Sequence, residues 1–296
     1  MPNVISTAMQ LQAKAKKIAW KQLHQKRVAS YLKSDRRPWS LGYDEYRLQY
    51  LGESINDSIL AQTFKNGGQL PEKYGYRLDA RVIEIPWVLS RLPERDGSFL
   101  DAGSALNHEC VLEAAPLKNK QTTIVTLAPE GQAFWRLGVS YVFGDMRNLY
   151  FKDECFDQVA CISTIEHIGM DNSMYAGNAD IARRGDPTEF LLAVKELRRV
   201  MVTGGTLFIT FPFGRYENHG WFQQFDSSLV DTLVSTFSPS DFRESIFQYH
   251  PTGWQLSDRS SCQACEFFDI HAHSSGDYPP DYPAGERALA CLELVK

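Results

Sequence analysis

Phe99-Leu100-Asp101-Ala102-Gly103-Ser104 opens the stretch of sequence that decides the fold, and Thr203-Gly204-Gly205-Thr206-Leu207 closes it. Between them stand Gly144-Asp145-Met146-Arg147 and Ser163-Thr164-Ile165-Glu166-His167-Ile168. Each sits where a strand should end and a loop begin. In an open parallel sheet, ligands bind in the crevice outside the carboxyl ends of the strands. Strand ends in register therefore describe one site.

Working outward, the punctuation is that of repeated βαβ units. Strands are expected at Phe99–Asp101, Thr122–Leu127, Val139–Phe143, Asp157–Ile162 and Thr206–Phe211, with a last one at Arg287–Val295. A helix is expected over Glu109–Leu117, with Asn107 as its cap. A second helix is expected over Thr188–Met201. Asp186 caps it, Pro187 takes the first turn, Glu189 completes a capping box, and Gly204 supplies the left-handed C-terminal turn. Arg81–Leu89 reads as a helix disturbed by Pro86. Glu266–Ile270 reads as a strand. This alternation predicts an α/β doubly wound sheet. Residues 1–96 form a helical extension or cap, and residues 97–296 form the main domain.

The bulk properties narrow the function. The chain has 296 residues, 43% of them hydrophobic, and a net charge of −5. That is enough to build a core, and the charge argues against a nucleic-acid partner. Six cysteines without a framework fit a reducing cytoplasm. No run is apolar enough to span a membrane. Residues 1–40 differ, with nine Lys or Arg against the single acid Asp35. Leu11, Ala15, Ile18 and Gln22 trace a weak helical face there. It is either a solvated helix packed on the domain or a basic surface touching anionic lipid or a phosphate-bearing substrate.

The candidate site residues follow from their positions. Gly103 lets the backbone turn tightly and approach a ligand. Asp101 can orient the loop or bind a hydroxylated ligand. Asp145 can accept a hydrogen bond from an exocyclic amine, and Met146 can lie against a flat ring. His167, beside Glu166, can accept a proton near neutral pH. The loop Pro212–Phe225 holds His219, Trp221 and Gln223, a mixture of aromatic faces and amides suited to a polyol ring. The connection Gly169–Gly185 is long, with Met170, Met174 and Tyr175, and is expected to form a lid or part of an acceptor pocket. Arg183 and Arg184 in it can meet an acceptor phosphate. Cys262-x-x-Cys265 with His271 and His273 has metal-like elements, but no second CxxC exists and no metal is expected.

Taken as a series, these residues resemble a class I S-adenosylmethionine-dependent methyltransferase of the methyltransferase type 11-like kind. Leu100–Ser104 is similar to the first, cofactor-binding motif. Gly144–Leu149, with Phe151 and Phe156-Asp157, is similar to the adenine-contacting motif. Ser163–Ile168 is similar to the fourth motif, and Glu196–Val200 with Gly204–Leu207 to the helix and turn before the fifth strand. The resemblance implies a Rossmann-like, mostly parallel, seven-stranded sheet with helices on both faces. It implies S-adenosyl-L-methionine as cofactor, held by Asp101, Gly103, Ser104, Thr126, Asp145, Met146, Ser163 and Glu166. It also suggests a subgroup encoded with surface-glycan or secondary-metabolite genes. Ala105 and Asn107 stand where the family has glycines, and Thr126 stands where it has a ribose-binding acid, so Thr126 or Glu130 must substitute. The expected reaction is methylation of a hydroxyl on a small molecule, such as a sugar or nucleotide sugar. His167 or His219 acts as base, and Tyr175, Arg183, Arg184, Trp221 and Gln223 line the acceptor pocket. A methyltransferase acting on protein or RNA, and a non-catalytic binding module with the same fold, are the alternatives.

Overall fold

The computed structural model describes residues 19–176, 185–272 and 278–296. Ten strands are present among them. They are β1 (Gly97–Ala102), β2 (Lys120–Thr126), β3 (Ser140–Phe143), β4 (Phe156–Ile162), β5 (Met201–Pro212), β6 (Glu217–Asn218), β7 (Gln223–Gln224), β8 (Asp241–His250), β9 (Gly253–Ser257) and β10 (Ala288–Val295). Eight of these form one sheet in the order β3-β2-β1-β4-β5-β10-β8-β9, and β6 pairs with β7 as a small ribbon. The pairings from β3 to β5 are parallel, whereas β5–β10, β10–β8 and β8–β9 are antiparallel. The sheet thus has eight strands where seven were expected: neither β8 nor β9 was read from the sequence, and residues 266–270 supply no strand. β8 and β9 are joined by a tight turn at Pro251 and Thr252, which needs no crossover helix.

The five longer helices are α1 (Tyr43–Ile55), α2 (Ser58–Asn66), α3 (Arg81–Arg91), α4 (Phe190–Val200) and α5 (Ser227–Phe237). Residues 19–33 are also helical. Alternate residues of the central strands face opposite cores, as a pleated strand buried on both sides requires. Leu100, Val159, Cys161, Leu207 and Ile209 pack with α4 and α5. Phe99, Ala160, Ile162 and Phe208 pack with α1, α2 and α3. The N-terminal helices therefore share a core with the sheet. Leu11, Ala15 and Ile18 of the basic segment lie outside the described residues.

Several local expectations are revised. The helix expected over Glu109–Leu117 is two short helices, Glu109–Leu112 and Ala115–Lys118, separated because Pro116 cannot continue the first. Helix α3 runs through Pro86 without breaking. The carbonyl of Val82, which a residue 86 N–H would have satisfied, instead accepts a hydrogen bond from Tyr74 Oη at 2.6 Å. Asp186 does cap the turn before α4, accepting from Thr188 N at 2.8 Å. Glu189, however, pairs with Arg147 instead of closing a capping box. Gly204, with φ of 77°, lies in β5 at the register shift against β4, so it serves a bulge and not a helix end. Asn107 does not cap a helix, for its side chain reaches across to the loop after β2. Residues 266–270 are irregular, not a strand. Among the described residues, no helix is long and apolar enough to cross a membrane.

Candidate active site

Two adjoining cavities open at the carboxyl ends of the parallel strands. The first, of about 300 Å³, is lined by Gly103 after β1, Thr126 at the end of β2, Gly144 after β3 and Ser163 after β4, together with Glu130, Met146, His167 and Tyr175. The second, of about 430 Å³, is lined by Glu166, His167, Trp221, Phe222, Phe267 and Glu286, among others. Arg81, Ser163, His167 and Tyr175 border both.

The backbone of the first cavity is held in conformations that side chains disfavour. Gly103 has φ of 117°, and a Cβ there would overlap the Thr164 side chain. Ser104 and Ser163 have φ of 68° and 36°. Such strain persists only where the surroundings over-determine it, commonly at functional sites. Asp101 orders this loop from beneath, accepting from Leu106 N at 2.9 Å. Its carboxyl is fully buried, which pushes its pKa up to about 7, and it does not line the cavity. The side chain of Ser104 is buried beside Gly103 with no hydrogen-bond partner for its Oγ.

At the end of β2, Thr126 and Glu130 both face the cavity. Asn107 Nδ2 donates to Glu130 Oε2 at 2.8 Å and to the Gln132 carbonyl, while its Oδ1 accepts from Tyr141 Oη. The residue standing in a glycine position thus braces the carboxylate that faces the ligand space. After β3, Gly144 and Met146 line the cavity and Asp145 does not. The Asp145 carboxylate turns back to accept from Arg147 N and Arg147 Nε, each at 2.8 Å.

The Ser163–His167 segment joins the cavities. Ser163 Oγ and Thr210 Oγ1 both donate to Glu84 Oε1, whose other oxygen pairs with Arg81 at 2.6 Å. His167 Nδ1 lies 2.9 Å from the Trp221 carbonyl. A carbonyl only accepts, so Nδ1 carries the proton and Nε2 keeps its lone pair. Burial drives the His167 pKa down to about 4. Glu166, placed among the cofactor residues by its motif, lines the second cavity only. It is 2% exposed, its Oε1 lies 3.9 Å from His167 Nε2, and its Oε2 has no hydrogen-bond partner. Burial raises its carboxyl well above the usual range.

The loop after β5 divides in two. Trp221 lines the second cavity and donates from Nε1 to Asp269 Oδ2 at 3.2 Å. His219 and Gln223 line neither cavity. The His219 ring stacks on Phe222 at 4.4 Å and faces Asp269 and Glu217, so it supports an aromatic wall and does not reach an acceptor. Gln223 is buried and donates to the Pro187 carbonyl at 2.7 Å, tying the loop to the start of α4. Tyr175 borders both cavities, edge-on to His167 at 5.4 Å. Arg183, Arg184 and His273 lie outside the described residues, as do residues 177–184 of the expected lid. His271 lines the second cavity, away from any cysteine pairing. Among the described residues, no group of three or more His, Cys, Asp or Glu is arranged to hold a metal ion.

The sequence reading missed the contribution of the N-terminal helices. Arg47 of α1 and Arg81 and Glu84 of α3 line the second cavity, as do Trp39 and Asp79. One signal was present: Glu84 interrupts the apolar run Val82–Leu89, and a charge in a buried helix face needs a partner.

A family model described as a methyltransferase domain matches residues 102–209. No curated protein matches the chain. Among solved structures, a possible histamine N-methyltransferase from Thermotoga maritima is similar at 17% identity and a TM-score of 0.45, covering 84% of this chain and 99% of its own. A protein from Bacillus halodurans described as a putative methyltransferase is similar at 13% identity and a TM-score of 0.41, covering 72% and 97%. A protein from Haloferax volcanii described as a putative methyltransferase, solved with the methyltransferase activator Trm112, is similar at 14% identity and a TM-score of 0.41, covering 83% and 97%. The matched segment is similar to a methyltransferase domain, and the cofactor that such a domain implies is S-adenosylmethionine.

The first cavity fits that cofactor. Gly103 leaves room that a Cβ would fill and Glu130 is a braced carboxylate facing the same space, whereas Ser104, expected to bind the cofactor, does not line the cavity. Gly103, Thr126, Glu130, Met146 and Ser163 are the residues that would hold it.

Proposed function

We propose that this chain transfers a methyl group from S-adenosylmethionine to a hydroxyl of a small molecule, with a sugar-type ring as the acceptor class. The observation that carries the reading is the shared border of the two cavities at Ser163, His167 and Tyr175. One cavity suits the cofactor, and the other meets it at a neutral imidazole. When bound, the cofactor supplies an electrophilic methyl on a sulfonium, open to in-line displacement.

The chain's own residues supply the rest. His167, held by the Trp221 carbonyl, presents Nε2 as the acceptor of a hydroxyl proton. Trp221, Phe222 and Phe267 offer apolar faces to the C–H surface of a ring. A cavity of about 430 Å³ suits a small molecule better than a polymer segment. Positioning of acceptor against methyl contributes several kcal/mol by itself.

The test is the appearance of demethylated cofactor when the protein is incubated with S-adenosylmethionine and a panel of hydroxylated small molecules. Turnover that falls about 10²–10⁴-fold in His167→Ala supports the base assignment. Turnover unchanged in that variant removes it.

A further inference from the structure

The geometry points to a positively charged acceptor: we propose that the second cavity binds a small organic cation, an ammonium carried by the acceptor molecule, between Glu166 and Glu286. The inference rests on the reading of that cavity as the acceptor site and names the substrate class within it.

Acidic side chains outnumber basic ones along the wall of this cavity. Asp79, Glu84, Glu166 and Glu286 face Arg47 and Arg81. Asp79 is paired with Arg47, and Glu84 with Arg81. Glu166 and Glu286 have no cationic partner among the ion pairs of the described residues. His167 beside Glu166 is neutral and adds no charge. The decisive observation is Glu166 itself, whose side chain is almost wholly buried while its Oε2 has no hydrogen-bond partner. An orphaned buried carboxyl oxygen is unfavourable, so its retention at a cavity wall points to a ligand group that satisfies it.

The remaining wall is aromatic. Trp221 and Phe222 lie 4.5 Å apart, edge to face, and Phe267 lies 4.5 Å from Phe222. Aromatic faces around carboxylates are the chemistry that recognises ammonium groups, because the ring quadrupole attracts a cation while tolerating its apolar substituents. A neutral polyol would use the rings but leave both carboxyls without a counterion. Burial and the nearby Glu84 and Asp79, partly opposed by Arg81, push Glu286 up to about 7, as expected of acids crowded together without a cation between them.

The test is binding, not turnover. Choline is compared with 3,3-dimethylbutan-1-ol, ethanolamine with ethane-1,2-diol, and glucosamine with glucose, each titrated into the full chain by calorimetry and by quenching of tryptophan fluorescence. The expected result is that at least one cation binds about tenfold or more tightly than its neutral counterpart, corresponding to about 1.4 kcal/mol. Glu286→Gln is expected to remove that preference, and Glu166→Gln to weaken it. Neutral members binding as well as the cations, no cation binding, or a preference that survives Glu286→Gln each overturn the inference. S-adenosylhomocysteine titrated into the same samples reads cofactor binding separately, so a failure here is distinct from a failure of the methyltransferase reading.

Discussion

His167 Nδ1 lies 2.9 Å from the carbonyl oxygen of Trp221, and that contact fixes which nitrogen faces the ligand space. The bond ties the loop after β4 to the loop after β5. It also fixes the tautomer, so Nε2 is a permanent acceptor.

The pH dependence follows. Burial holds His167 near a pKa of about 4, below its ordinary 6.5. Its neutral form, and the acceleration it provides, is present above that value and is lost only as pH falls through it. The ratio of wild-type to His167→Ala turnover should therefore stay constant between about pH 5.5 and about pH 8.5. A ratio that collapses below the ordinary histidine pKa contradicts the assignment.

Gly103→Ala tests the cofactor cavity. The added Cβ meets Thr164 in a backbone conformation with φ of 117°. The strain should cost about 1–3 kcal/mol of stability. It should also weaken S-adenosylhomocysteine binding by about tenfold or more, read by calorimetry against wild type. Equal affinity in the variant would mean that this turn does not approach the cofactor.

Much of the sheet was legible because its signals are local. The β-branched run of β2 and the Asp186-Pro187 helix start depend on a few adjacent residues. On the cofactor side, the expected Gly103, Thr126, Met146 and Ser163 border the first cavity, whereas Asp101, Ser104, Asp145 and Glu166 do not, because which way a strand-end side chain turns is set by its packing. What lay beyond reach was set by long-range packing. Pro86 sits inside α3 because Tyr74 satisfies the carbonyl it frees. His219 and Gln223 were indistinguishable by sequence from acceptor contacts, yet one backs Phe222 and the other ties down Pro187. The carboxyl and arginine groups of α1 and α3 reach the cavity from more than 70 residues away in sequence, as the Glu84 to Ser163 contact across 79 positions shows.

Glu84 is the structural tie between these helices and the site. It is fully buried and accepts from Arg81, Ser163 and Thr210. Glu84→Ala leaves the Arg81 guanidinium without its partner in the buried network and should destabilise the fold by about 3–5 kcal/mol in chemical denaturation. A loss below about 1 kcal/mol would show that the network contributes little.

Glu286 should make stability depend on pH with a defined sign. Its folded pKa is raised from 4.5 to about 7, chiefly by burial. An acid raised in this way favours the native state while protonated, and that advantage is lost as pH climbs from the unfolded value through the folded one. Glu286→Gln should therefore gain stability relative to wild type across that window, by up to about 3 kcal/mol, and hold the gain above it. A stability difference independent of pH would contradict this.

The most direct test of the whole account is calorimetric titration of the full chain with S-adenosylmethionine and S-adenosylhomocysteine. The account predicts one site with micromolar affinity, weakened by Gly103→Ala and by Glu130→Ala. No binding at millimolar cofactor would contradict it, and would leave the first cavity without the ligand to which its glycine turn and braced carboxylate are matched.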